Sequence, residues 1–182
     1  MHAAWADDVR QFWFHDLKPE QWFKRDEGVD RSIVARFSKP HAAVEATEDA
    51  TLLADAPTAL AAIIILDQLS RNMFRGTPRA FASDPKAFVL AETAIDRGFD
   101  HGATPQERLF FYLPLEHAEN VQAQACSVAL MSAIGIEAYT KSAIAHQAII
   151  QRFGRFPHRN AILGRASTPE EIAFLEEPGS AF

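Results

Sequence analysis

The sequence predicts an all-α fold, a single domain over residues 1–182 made of stacked antiparallel helix pairs, and three observations carry that expectation. Helix-start signals recur with one chemistry. Thr104-Pro105-Gln106-Glu107 and Thr168-Pro169-Glu170-Glu171 each offer a capping hydroxyl, a proline preset for the first turn and the glutamate of a capping box, while Asp84-Pro85 offers a carboxylate acceptor before a proline. Gly76, Gly98, Gly135 and Gly154 each follow a periodic apolar run, where a left-handed residue closes a helix. No segment alternates polar and apolar residues for long enough to read as a strand.

Taken in order, residues 8–14 read as an amphipathic helix, followed by a broken aromatic segment around Pro19, Trp22 and Phe23. Residues 26–50 read as one helix or two short ones, with Pro40 as the expected interruption. The strongest buried helix is 57–74, which contains the longest apolar run of the chain, 59–66. Further helices are expected at about 85–97, 105–118, 120–134, 137–153 and 169–176, with ends good to roughly 2–4 residues. The turns between them are short, so neighbours double back on each other. Ala80, Ala87, Ala91 and Ala94 are small enough for the close crossings of a tetratricopeptide-like helix pair, although the full repeat signature does not recur.

The chain of 182 residues is long enough to bury one continuous core, and 48% apolar against 23% charged residues excludes disorder. Fourteen phenylalanines against two tyrosines make that core aromatic. Cys126, the single cysteine, sits in an apolar helical context and is expected to be a small buried hydrophobe; no intramolecular disulfide is possible. Asp7, Asp8, Arg10 and Asp16 break any signal-peptide core, and the run 59–66 is far short of the roughly 20 residues of a membrane span, so a cytoplasmic location without membrane contact is expected. A formal net charge of −6 argues against general nucleic-acid binding.

Three polar clusters stand out. Residues 152–165 carry Arg152, Arg155, Arg159 and Arg165 with His158 and no acidic residue, a concentrated positive charge that needs an electrostatic partner. The second runs from Asp67-Gln68 through Arg71-Asn72 to Arg75-Gly76, and the third from Glu116-His117 to Glu119-Asn120. The segment Leu66-Asp67-Gln68-Leu69-Ser70-Arg71-Asn72-Met73-Phe74-Arg75-Gly76-Thr77-Pro78-Arg79-Ala80-Phe81, the aromatic-proline-acidic run 110–119 and the segment 152–165 resemble the bacterial family called domain of unknown function 924, over nearly the whole chain from Phe12-Trp13-Phe14 to Phe174. The resemblance implies a tetratricopeptide-like all-α fold and no activity, cofactor or catalytic residue.

The chemistry is therefore read from spacing. Asp67 continues the apolar face of its helix three and four residues after Ile64 and Ile63, with Arg71 one turn further on. The pair either ties two helices together or lets Asp67 orient an arginine or histidine of the C-terminal segment. His117 falls four residues after Leu113, and Glu116 four after Tyr112, so these neighbours straddle the edge between core and pocket. Pro114 either kinks the helix there, freeing backbone carbonyls, or marks its boundary, with Glu116 and Glu119 near the positive end of the next helix. His146 lies on the stripe of Tyr139, Ala143, Ile149, Ile150 and Phe153, and the arginines around His158 favour its neutral form.

No phosphate-binding glycine loop, nucleophile elbow, paired cysteines or His-Glu-x-x-His motif is present, so no cofactor and no metal ion are expected, and the surrounding arginines oppose a metal held by Asp67, Glu116, His117 and His158. The leading functional expectation is a pocket for a small anionic ligand or an acidic peptide end, with Arg71, Asn72, Arg75, Arg155, Arg159, Asn160 and His146 as binding residues. An alternative is a hydrolase-type enzyme, with His158 or His117 as acid–base group, Glu116 or Asp67 orienting it and an arginine stabilising negative charge. A further alternative is a helical interaction module with a protein partner.

Overall fold

The computed structural model describes residues 4–180, and every regular element among them is helical. Helix α1 (Ala4–Gln11) runs into a π-helical turn at Phe12–Asp16 that buries Phe12 and Trp13. A short 3-10 turn at Pro19–Gln21 then brings Trp22 back, its indole donating to the Trp13 carbonyl at 2.8 Å. Helix α2 (Glu27–Ala46) starts on Asp26, whose carboxylate accepts from the Gly28 and Val29 amides. Pro40 does not interrupt it. The stripe Ile33, Phe37, His41 and Val44 stays buried at helical spacing, and the carbonyl that Pro40 leaves without a donor belongs to exposed Arg36, where water can serve it. The residues beyond form a separate short helix, α3 (Asp49–Leu52).

The expected buried helix at 57–74 is a rod of three parts: α4 (Ala56–Ile63), a π-helical turn at Ile64–Leu69 and α5 (Ser70–Met73). The wider turn buries all six of its residues, Asp67 and Gln68 included. Inserted turns of this kind recur at functional sites because they re-aim side chains that a regular helix would point elsewhere.

Four longer helices complete the stack, α6 (Asp84–Asp96), α7 (Pro105–Glu116), α8 (Val121–Ile134) and α9 (Glu137–Phe153), each packed on the next, and α10 (Pro169–Leu175) closes the chain. Both capping boxes form: Thr104 and Thr168 accept from the amides of Glu107 and Glu171, whose side chains return to the threonine amides. Asp84 departs from expectation. Ser83 occupies the cap position, and the Asp84 carboxylate is turned to Arg71 instead. Gly135 and Gly154, at φ 81° and 70°, end α8 and α9 in the left-handed conformation that a β-carbon disfavours. Pro114 lies inside α7, which ends two residues later at Glu116, and α8 starts on the side-chain cap of Asn120.

Trp13, Phe110, Phe111, Tyr112 and the aliphatic run Ile63, Ile64, Ile65 and Leu66 make the centre of the core. Tyr112 is satisfied there by donating to Asp100 at 2.6 Å. A smaller cluster of Ile149, Ile150 and Phe156, packed by Phe153 and Phe174, pins the segment after α9 to the stack. Cys126 is exposed rather than buried, because the buried stripe of α8 runs through Ala123, Gln124, Ser127 and Met131 and leaves position 126 on the outer side. Among the described residues no helix is long and apolar enough to cross a membrane.

Candidate functional site

A cavity of about 900 Å³ opens between the π turn, the end of α7, the start of α9 and the segment after it, with side chains of all three polar clusters in its wall. That volume lies in the range of small-molecule pockets. Its chemistry centres on Asp67, 1% exposed. Gln68 donates to one carboxylate oxygen at 2.6 Å, Arg71 stands 3.2 Å from the other, and His117 Nδ1 lies 2.8 and 3.0 Å from the two. Burial opposes the charge on Asp67, but Arg71 and His117 more than offset it and hold the carboxyl well below its usual range.

His117 is kept neutral chiefly by its own burial, with Arg71 and Arg159 adding to the effect against the pull of Asp67. Its Nδ1 therefore donates to Asp67, which leaves Nε2 on the opposite side of the ring as an acceptor, and the residue lines the cavity. This is the geometry of an oriented base.

Arg71 extends the network. Its guanidinium meets both oxygens of Asp84 at 3.0 Å, and it also donates to the Asp67 carbonyl. Arg75 makes the same forked contact with Asp30, both bonds at 2.9 Å, and Asn72 donates to that carboxylate at 2.7 Å. These two arginines line the wall with their charge already matched.

Arg159 differs. Its side chain is 8% exposed and sits 4.4 Å from the Phe156 ring centroid and 4.9 Å from that of Phe81. It donates to the His117 carbonyl at 3.0 Å and forms a loose ion pair with the Asp84 carboxylate at 3.6 Å, beyond hydrogen-bond reach, and among the described residues its Nε has no hydrogen-bond partner. Burial, then the charge of Arg71, brings its pKa down to about 10, so it remains a cation at neutral pH.

On the other side of His117 stands Glu116, 1% exposed. Its Oε1 accepts from Ser142 at 2.8 Å and lies 3.0 Å from His146 Nδ1, which also meets the Ser142 carbonyl at 2.9 Å; Oε2 has no hydrogen-bond partner. Burial raises the Glu116 carboxyl to about 7, with Asp67 adding to the rise. The same burial lowers His146 to about 3 and His158 to about 4, and both line the cavity in neutral form.

Two residues expected to bind a ligand stand outside the cavity. Arg155 is locked in a fork on Glu171 at 2.6 and 2.8 Å, and Asn160, fully buried, donates to Ser167 and Glu171 and accepts from Arg165. Arg165 in turn grips Glu119 at 2.7 and 2.9 Å, while Glu119 also accepts the Phe156 amide. This network fixes the loop and so presents His158 and Arg159 to the cavity. Asp84, Ser142, Phe81 and Asp30 are the site residues that spacing missed. Asp84 had a visible signal, a carboxylate beside proline, but it also fits a helix cap. Among the described residues no three His, Cys, Asp or Glu side chains are grouped to hold a metal ion.

The sequence profile of a family described as bacterial protein of unknown function (DUF924) matches residues 9–179. A solved structure of a protein of unknown function from Agrobacterium tumefaciens is 42% identical, over 95% of this chain and 97% of that one, with a TM-score of 0.90. No curated protein matches the chain. The chain belongs to the DUF924 family.

Proposed function

We propose that this member of the DUF924 family binds a small anionic ligand in the cavity, with Arg159 as the cationic seat and His117 and His158 beside it. The observation that carries this reading is the state of Arg159, buried against the rings of Phe81 and Phe156, with its ion-paired carboxylate among the described residues, Asp84, at 3.6 Å and already forked by Arg71. A buried guanidinium whose counter-charge is distant and shared is costly, and an incoming anion supplies a closer partner. Arg71 and Arg75, matched by Asp84 and Asp30, hold the walls in place and take no direct part.

Carboxylates, and more weakly phosphate or sulfate, should then raise the melting temperature by mass action, and added chloride should weaken the gain as charges are screened. Arg159→Gln should abolish the gain in a folded protein. A flat panel with a well-folded wild type would discard the anion reading in favour of a protein partner.

The Asp67–His117 pair favours a second reading on the same ligand, hydrolase-type acid–base catalysis. Asp67 would fix the ring, His117 Nε2 would take a proton and Arg159 would stabilise developing negative charge. Burial lowers all three cavity histidines, and what sets His117 apart is the Asp67 carboxylate on its Nδ1, which fixes the ring. His117→Gln should keep the anion-dependent thermal gain and abolish turnover of an ester panel; turnover that persists in this variant rules His117 out.

A further inference from the structure

Which anion would fit follows from the rest of the wall. Away from its polar end the cavity is lined largely with carbon, by Trp22, Phe23, Leu109, Leu113, Phe81 and Ile162, with Glu20 and Lys24 flanking the first two in the chain. Phe23 stands at its edge 63% exposed, stacked 6.2 Å from Phe110 at 24°. A large aromatic ring held in the open beside a pocket is the arrangement expected where a ligand covers it.

The polar end sets a limit on charge. Arg71 and Arg75 have their forks filled by carboxylates, whereas Arg159 has, among the described residues, only the loose 3.6 Å contact with Asp84. Glu116 lies in the wall at that end, and Asp67 and Asp84 stand behind it, bonded to His117 and Arg71, so a second negative charge there would be repelled by them. A phosphorylated metabolite or a dicarboxylate meets these groups at a disadvantage. A single carboxylate does not.

We propose that the cavity accepts an amphipathic monoanion, an aliphatic or aromatic carboxylate whose charged end sits on Arg159 and whose carbon body lies along Trp22, Phe23, Leu109 and Leu113. This rests on the anion reading and narrows it to a ligand class. The carbon body adds affinity with each methylene removed from water, while the carboxylate fixes orientation. A cavity of about 900 Å³ has room for a chain of this kind.

Calorimetric titration of the full chain at fixed ionic strength tests it with named probes: octanoate, 3-phenylpropanoate, acetate, 1-octanol, succinate and inorganic phosphate. Octanoate and phenylpropanoate should bind at least about tenfold more tightly than acetate, succinate, phosphate or octanol. Arg159→Gln should bring octanoate down to the level of octanol. Ala138→Trp, a change at an exposed cavity-wall position in the first turn of α9, should weaken octanoate and leave the far-ultraviolet spectrum unchanged. Tighter binding of phosphate or succinate, abolished by Arg159→Gln, would overturn the ligand class and leave the anion site standing. Octanoate binding untouched by Arg159→Gln would overturn the anion site itself, and no binding of any probe would overturn both.

Discussion

The Asp67 centre and the Arg155–Glu171 loop are built from the same residue types, yet they are opposite in design. At Glu171 every strong donor is spent inside the loop: Arg155 forks onto it, the Thr168 amide and Asn160 join, and Arg165 closes on Glu119 nearby. At Asp67 the bonds run inward to Gln68, Arg71 and His117, while His117 and Arg159 themselves line a cavity. A forked arginine on a carboxylate reads as architecture. A buried arginine with a carboxylate just out of reach reads as a seat for something else.

The largest expected effect would break this comparison if it failed. Asp67→Ala leaves Arg71 with one carboxylate instead of two and deprives His117 of its orienting acceptor, so denaturant unfolding should show a loss of about 3–5 kcal/mol, as for other broken buried pairs. A loss below about 1 kcal/mol would mean that the carboxylate is effectively solvated, as in a surface pair.

Glu116, beside the Asp67 centre, and Glu171, in the loop, should also answer pH with opposite signs. Glu116 titrates near 7 in the folded chain and at its ordinary 4.5 when unfolded, so between those values the folded state holds the extra proton and stability falls as pH rises. Integrated over that interval the change is about 3 kcal/mol, and Glu116→Gln should flatten it. Glu171 is held down at about 2 by Arg155 and the Thr168 amide, so its contribution is present above 4.5 and is lost as pH falls towards 2. Stability measured from pH 3 to 8 in wild type, Glu116→Gln and Glu171→Gln separates the slopes, and a Glu116→Gln curve parallel to wild type between 5 and 7 would contradict the Glu116 assignment.

Arg155→Gln and Arg159→Gln form a sharper pair. The first should lower the melting temperature and spare any anion-dependent gain, and the second should do the reverse, losing the gain with a smaller change in the unliganded protein. Equal behaviour in thermal shift would erase the distinction between loop and site. The smallest effect is expected at Cys126, exposed on α8, where Cys126→Ser should stay within about 0.5 kcal/mol in the same melts.

What the sequence by itself determined is local. Capping boxes at Thr104 and Thr168, glycine ends at Gly135 and Gly154, and the unbroken apolar run before Asp67 place the helices within a few residues, because hydrogen-bond caps, left-handed backbone and helical periodicity act over a single turn. The same spacing put Asp67 on the apolar face of its helix and Glu116 and His117 at the edge between core and pocket. Tertiary structure decided what lies between chain-distant partners. It carried α2 through Pro40 by burying the stripe on either side, turned Asp84 from a cap into the counter-charge of Arg71, and left Cys126 outside. It also divided the arginines of 152–165, giving Arg155 to Glu171 and Arg165 to Glu119 while turning Arg159 inward. Charge sums along a chain cannot make that division, because whether an arginine is spent depends on which carboxylate the fold brings within about 3 Å of it.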